Sequence, residues 1–103
     1  MRLDGAVMTS QVTERLGEDG CYDLLHEGVL VGRLVWIANV CPGHPFRGWW
    51  LSIPGVEDEL IYRVPEELYS DLPRARASGV SMSLGLAQHM LADRVEGLLD
   101  GPA

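Results

Sequence analysis

Val29-Leu30-Val31-Gly32-Arg33-Leu34-Val35-Trp36-Ile37-Ala38 is the stretch whose reading decides the fold. As an extended strand it sends Leu30, Leu34 and Trp36 toward one face and Val29, Val31, Val35 and Ile37 toward the other. Both faces are apolar, which predicts a central strand covered at least in part on both sides. Gly32 inside it predicts a bulge or a close neighbour.

Working outward toward the N-terminus, Glu27-Gly28 predicts a tight turn, and Cys21–His26 reads as the strand before it. Asp19-Gly20 is a further hairpin signal, because both residues tolerate the positive φ of a tight turn. Gln11–Gly17 alternates and reads as an edge strand, with residues 1–10 a loose lead-in to a single domain spanning 11–103.

Toward the C-terminus the chain enters Cys41-Pro42-Gly43-His44-Pro45-Phe46-Arg47-Gly48-Trp49-Trp50. Its Pro and Gly residues forbid regular helix and mark a loop. A fourth strand, Gly48–Ile53, follows with Trp49, Leu51 and Ile53 on one face. Pro54-Gly55 ends it, Glu57-Asp58-Glu59 is expected as an acidic turn, and Leu60–Val64 as a fifth strand. Pro65–Leu72 reads as one or two helical turns stopped by Pro73, and Arg74–Gly79 as a linker. Ser81 is expected to cap a helix over Met82–Leu99, whose Leu84, Ala87, Leu91, Val95 and Leu98 recur at helical spacing, with Leu86 and Met90 widening the stripe. The predicted fold is α+β: an antiparallel meander of four or five strands with one long C-terminal helix packed on one face.

The totals narrow the function classes. At 103 residues the chain can bury one core without staples. All eight basic residues are Arg, and fifteen acidic residues leave a net charge of −7. That balance argues against the basic patch that non-specific phosphate binding needs. No apolar run approaches the roughly 18 residues of a spanning helix, and the N-terminal residues lack a signal peptide's apolar core. Two Cys are too few for a disulfide scaffold. A cytoplasmic protein with reduced thiols is expected, without membrane contact.

Three chemistries share residue types with this chain. Cys21, His26, Cys41 and His44 are the right ligand types for zinc, but Cys21 and His26 are five apart on a strand and point to opposite faces. No metal or cofactor is therefore expected. Cys41 and His44 have the makings of a thiolate–imidazole pair, yet the sequence displays no third, orienting group and no oxyanion hole. Stacking of single-stranded nucleic acid on Trp50 and Phe46 would need a basic groove that only Arg33, Arg47 and Arg63 could supply. Direct nucleic-acid binding is not expected.

What remains is a contact surface. Trp49 and Trp50 face opposite ways on a strand, so one enters the core and the other needs a cover or a partner. His44, Phe46, Arg47 and Trp50, with the acidic residues Glu57, Asp58 and Glu59, form the candidate protein-contact set, Trp and Arg being favoured at binding hot spots. The expected function is that of a small acidic non-enzymatic binding protein, of the phage or mobile-element accessory or inhibitor kind. It would act by occluding a partner surface, for instance by imitating DNA. The alternatives are a homodimer or larger structural subunit joined through a sheet edge, and a small acetyltransferase-like or Cys-His enzyme.

The pattern Gly20-x-Tyr22-Asp23-Leu24, Gly28-x-x-x-Gly32-x-Leu34 and Gly48-x-Trp50, followed by a helix, resembles small bacterial and phage meander-plus-helix domains of unknown function. Gly28-x-x-Val31-Gly32 is also similar to the opening hairpin of acetyltransferase-type domains. The acetyl-CoA loop of those domains has no counterpart in Arg74–Gly79, and no catalytic residue carries over from either resemblance.

Overall fold

Val29–Ile37 forms β3, the middle strand of a five-stranded antiparallel sheet, in a computed structural model that describes residues 11–99. The expected lead-in over residues 1–10 lies outside the described residues. Around β3 run β1 (Thr13–Leu16), β2 (Tyr22–His26), β4 (Gly48–Ile53) and β5 (Val56–Arg63), in the spatial order β1-β2-β3-β4-β5. One helix, α1 (Leu72–Leu99), packs on the sheet against β3, β4 and β5. The fold is α+β, a meander with a C-terminal helix.

Each strand junction follows from local chemistry. Glu27 and Gly28 both take positive φ, 52° and 81°, the backbone of a type I′ turn whose twist matches that of the flanking strands. Pro54-Gly55 joins β4 to β5 as a two-residue hairpin. The irregularity expected at Gly32 is a bulge: Leu24 pairs with Gly32 while Leu25 pairs with Leu30, leaving Val31 as the extra residue. The bulge resets the alternation, so the expected grouping of Leu30 with Leu34 and Trp36 does not hold. Leu30 is 49% exposed, whereas Leu34 is fully buried.

The acidic turn and the start of the helix also differ from expectation. Glu57-Asp58-Glu59 is not a turn but the first half of β5, because the hairpin at Pro54-Gly55 already reverses the chain. Pro73 does not stop a helix, and Arg74–Gly79 is not a linker. α1 begins at Leu72, with the Asp71 carboxylate accepting from the Arg74 N–H (3.3 Å) and the Asp71 carbonyl from the Ala75 N–H (3.1 Å). Asp71 is thus the N-cap and Pro73 sits in the first turn, where a missing N–H costs nothing. Ser81 lies inside the helix. Only the short 3-10 turn Glu66–Leu68 occupies the region expected to be helical before Pro73.

The core lies between the sheet and α1. Val12, Leu24, Leu34, Trp49 and Leu51 meet Leu84, Ala87 and Leu91, with Tyr22, Val31, Trp36, Tyr62 and Met90 packed around them. Leu86, expected to widen the helix stripe, is 43% exposed; the side chains of Val95 and Leu98 lie outside the described residues. Ser83 is fully buried, and its hydroxyl donates to the Gly79 carbonyl (2.6 Å), so the core holds no orphaned oxygen there.

Candidate functional site

The loop between β3 and β4, residues 38–47, folds over the sheet face opposite α1. Its base is closed by Arg47, whose Nε donates to the Ala38 carbonyl (3.0 Å), while the Val64 N–H donates to the Arg47 carbonyl (2.9 Å). At its tip Cys41 and His44 exchange both backbone hydrogen bonds, 3.1 and 2.9 Å. Pro42 and Gly43 span the gap, and Gly43 takes φ 87°, the residue order and backbone of a type II turn.

Sheet parity then decides where the two adjacent indoles go. Trp49 turns toward α1, fully buried between the Tyr22 and Trp36 rings (centroids 6.0 and 5.3 Å), with Nε1 donating to the Arg76 carbonyl (3.1 Å). Trp50, opposite Val35 and Leu60, turns to the other face. It is 5% exposed: the His44 ring meets it edge-on at 4.9 Å, and its Nε1 donates to the Phe46 carbonyl (3.1 Å). The loop itself supplies the cover that the second indole needs.

His44 is also the centre of a polar relay. Its Nε2 lies 2.7 Å from Asp58 Oδ2 on β5, and its Nδ1 lies 3.8 Å from Cys41 Sγ. A carboxylate only accepts hydrogen bonds, so Nε2 carries the proton. In the neutral ring Nδ1 is then the unprotonated nitrogen, and it faces the thiol. Cys41 is exposed, while His44 and Asp58 are each about a third or less exposed at the side chain (25% and 32%).

Beside the relay stand two cation–π stacks. The Arg63 guanidinium lies 4.1 Å from the centre of the Phe46 ring, and that of Arg47 lies 4.7 Å from the Tyr69 ring. Such stacks contribute roughly 0.5–1 kcal/mol each at exposed sites. Phe46 and Tyr69 remain 36% and 38% exposed, and Val40 on the same loop 52%.

Of the residues singled out in the sequence, His44, Phe46, Arg47, Trp50 and Asp58 come together here. Trp50 lies under the surface as a platform rather than on it. Glu57 and Glu59 flank Asp58 on the outer strand and are exposed. Arg63 was read only as a wall of a nucleic-acid groove, and Tyr69 and the partnering of Asp58 with His44 were missed. Strand alternation was the available signal for Asp58, since it separates Asp58 from Glu57 and Glu59. Cys21 is buried and apart from Cys41. Among the described residues no group of three or more His, Cys, Asp and Glu is placed to share one metal ion; His44 turns its two ring nitrogens to two different residues.

The other half of the same sheet face is ionic. Arg33 binds Asp23 (2.8 Å) and Asp19 (3.0 Å), and Arg15 binds Asp23 (3.0 Å). The Arg15 and Arg33 hydrogen bonds hold the Asp23 carboxyl below its usual range, and the Cys21 N–H with Arg33 does the same for Asp19. On the helix side a pocket of about 290 Å³ opens among Leu16, Tyr22, Trp49, Arg76 and Val80. Its one charged group, Arg76, is already spent on the Gly20 carbonyl and the Trp49 ring.

No protein-family model matches the chain, and no curated protein or solved structure matches it. Among the described residues no helix is long and apolar enough to cross a membrane.

Proposed function

We propose that this chain is a small non-enzymatic protein-binding domain whose contact surface is the 38–47 loop with the adjoining edge of β5. The carrying observation is the pair of Arg–aromatic stacks by which the loop, pinned from beneath by Trp50, meets its neighbours: Phe46 with Arg63 of β5, and Arg47 with Tyr69 after the 3-10 turn. Arg and aromatic side chains are the types that dominate binding energetics, and a loop fixed beforehand loses little entropy on docking. The acidic group this surface holds is Asp58, bonded to His44, whereas Glu59 pairs with the core-facing Leu51 and turns to the other face of the sheet. An accessory or inhibitor protein working by surface occlusion in the cytoplasm is the role this describes.

Two observations weigh on the other readings. Trp50 offers no free ring for a nucleobase, Arg33 is neutralised by Asp19 and Asp23, and one side of the Phe46 ring is taken by Arg63, so little is left of a stacking groove. Glu57, Asp58 and Glu59 lie on an edge strand, where like charges discourage a second copy from pairing.

The test is capture from a host lysate by the wild type and by a Phe46→Ala/Tyr69→Ala double variant, with the mass of each followed by light scattering. Loss of captured partners in a folded variant supports the surface. Equal capture removes the loop from the contact, and a mass that doubles with concentration favours the sheet-edge oligomer.

A further inference from the structure

The relay Cys41–His44–Asp58 has all the parts of an assisted nucleophile. A thiol attacks as its thiolate, so a group placed to take its proton raises the rate, provided that a third group holds the base in the right tautomer. Here the thiol is exposed, Nδ1 of His44 is 3.8 Å from Sγ, and the ring is fixed from two directions. Asp58 accepts from Nε2 at 2.7 Å, and Trp50 packs against the ring at 4.9 Å. The backbone bridge between Cys41 and His44 sets the spacing of nucleophile and base, independently of either side chain.

The surroundings choose among electrophiles. Acyl transfer needs N–H donors for the oxygen that becomes negative. In this turn the N–H groups of Cys41 and His44 are used in their own bridge and Pro42 has none, which leaves the single N–H of Gly43 rather than a converging pair. Exchange with a disulfide develops charge on sulfur alone and needs only a thiolate, an in-line approach and a proton for the leaving group. An open, exposed tip allows that approach.

We propose that Cys41 is a nucleophilic thiol, with His44 as its base and Asp58 as the residue positioning that base, and that it exchanges with small disulfides. Cys41–SH and R–S–S–R give Cys41–S–S–R and R–SH. The Sγ–S bond forms as the S–S bond of the reagent breaks, and the thiol proton passes to Nδ1 of His44 and then to the departing thiolate. The disulfide is the oxidant and is reduced to one thiol as Cys41 is oxidised. The result is a reversible modification at the edge of the contact surface, and the inference does not depend on the contact being real.

The experiment treats the folded chain with dithiobis(nitrobenzoate) and separately with oxidised glutathione, mapping the adduct by peptide mass. Cys41 is expected to react first and Cys21, buried, only slowly. At about pH 7 the Cys41 rate should exceed that of the same thiol in the urea-unfolded chain by about tenfold or more. His44→Gln should bring the rate down to the unfolded value, and Asp58→Asn should lower it by a smaller factor. Above about pH 9.5, where a free thiol ionises unaided, wild type and His44→Gln should converge. A folded wild type that reacts no faster than its unfolded chain overturns the proposal. So does a His44→Gln variant with the native circular dichroism and an unchanged rate at about pH 7.

Discussion

Trp49 and Trp50 are neighbours in the chain and buried almost equally, at 0% and 5% exposure, yet they are buried by opposite means. Trp49 sits among the aromatic rings and the aliphatic side chains of a core held by α1. Trp50 is covered by a ten-residue loop that brings a histidine ring edge, backbone carbonyls and two Arg–aromatic stacks. One face of the sheet stabilises the fold. The other uses an indole to hold polar and aromatic groups in a fixed surface arrangement. Loops held on rigid scaffolds are where function concentrates, and this difference is the ground on which we propose the loop as the contact face.

The comparison can be broken most severely at Trp49. Trp49→Ala removes the centre of the core and the bond to Arg76, and should cost about 3–5 kcal/mol of stability in urea denaturation. Trp50→Ala should cost less, about 2 kcal/mol, because the loop can settle into the space. Its sharper consequence is local: the His44 ring loses its support, so the Cys41 exchange rate should fall in a chain that still unfolds cooperatively. Equal destabilisation by the two substitutions would erase the distinction between the faces.

The smallest effect separates the two halves of the outer face. Asp19 and Asp23 have folded-state pKa values held below their ordinary range by hydrogen bonds. Their contribution to stability is therefore complete above the unfolded aspartate value, about 3.9, and is lost as pH falls through the lower folded values. A carboxyl-carbon NMR titration should give both midpoints below that of a free aspartate. Arg33→Gln should bring both of them up toward it. Midpoints unmoved by Arg33→Gln would mean that the ion ladder is not formed in solution.

The meander was legible because period-two alternation and turn chemistry are local signals. Gly48–Ile53 is found as predicted, and Glu27-Gly28 and Pro54-Gly55 turn as their residues demand. The start of α1 was hidden because its first turns face the sheet with small residues. Ala75 is fully buried, and a side chain at Gly79 would come within 2.6 Å of the Tyr62 ring. Close packing of a helix on aromatic rings selects Ala and Gly, which weaken the hydrophobic stripe that announces a helix. The relay was half legible. Cys41 and His44 declare themselves by their spacing, but Asp58 joins them only through the pairing of β4 with β5, which a run of three acidic residues disguised as a turn.

Whether the loop face is a separately held structure or a second core is read directly from the two indole N–H groups. That of Trp49 is bonded to the Arg76 carbonyl under α1, and that of Trp50 to the Phe46 carbonyl in the loop. Native-state hydrogen exchange of the two Nε1 protons should show Trp49 exchanging only with global unfolding, its rate following urea as the whole fold does. Trp50 should exchange faster, through a local opening that depends little on urea. Identical protection and identical urea dependence at the two sites would contradict a separately held loop face.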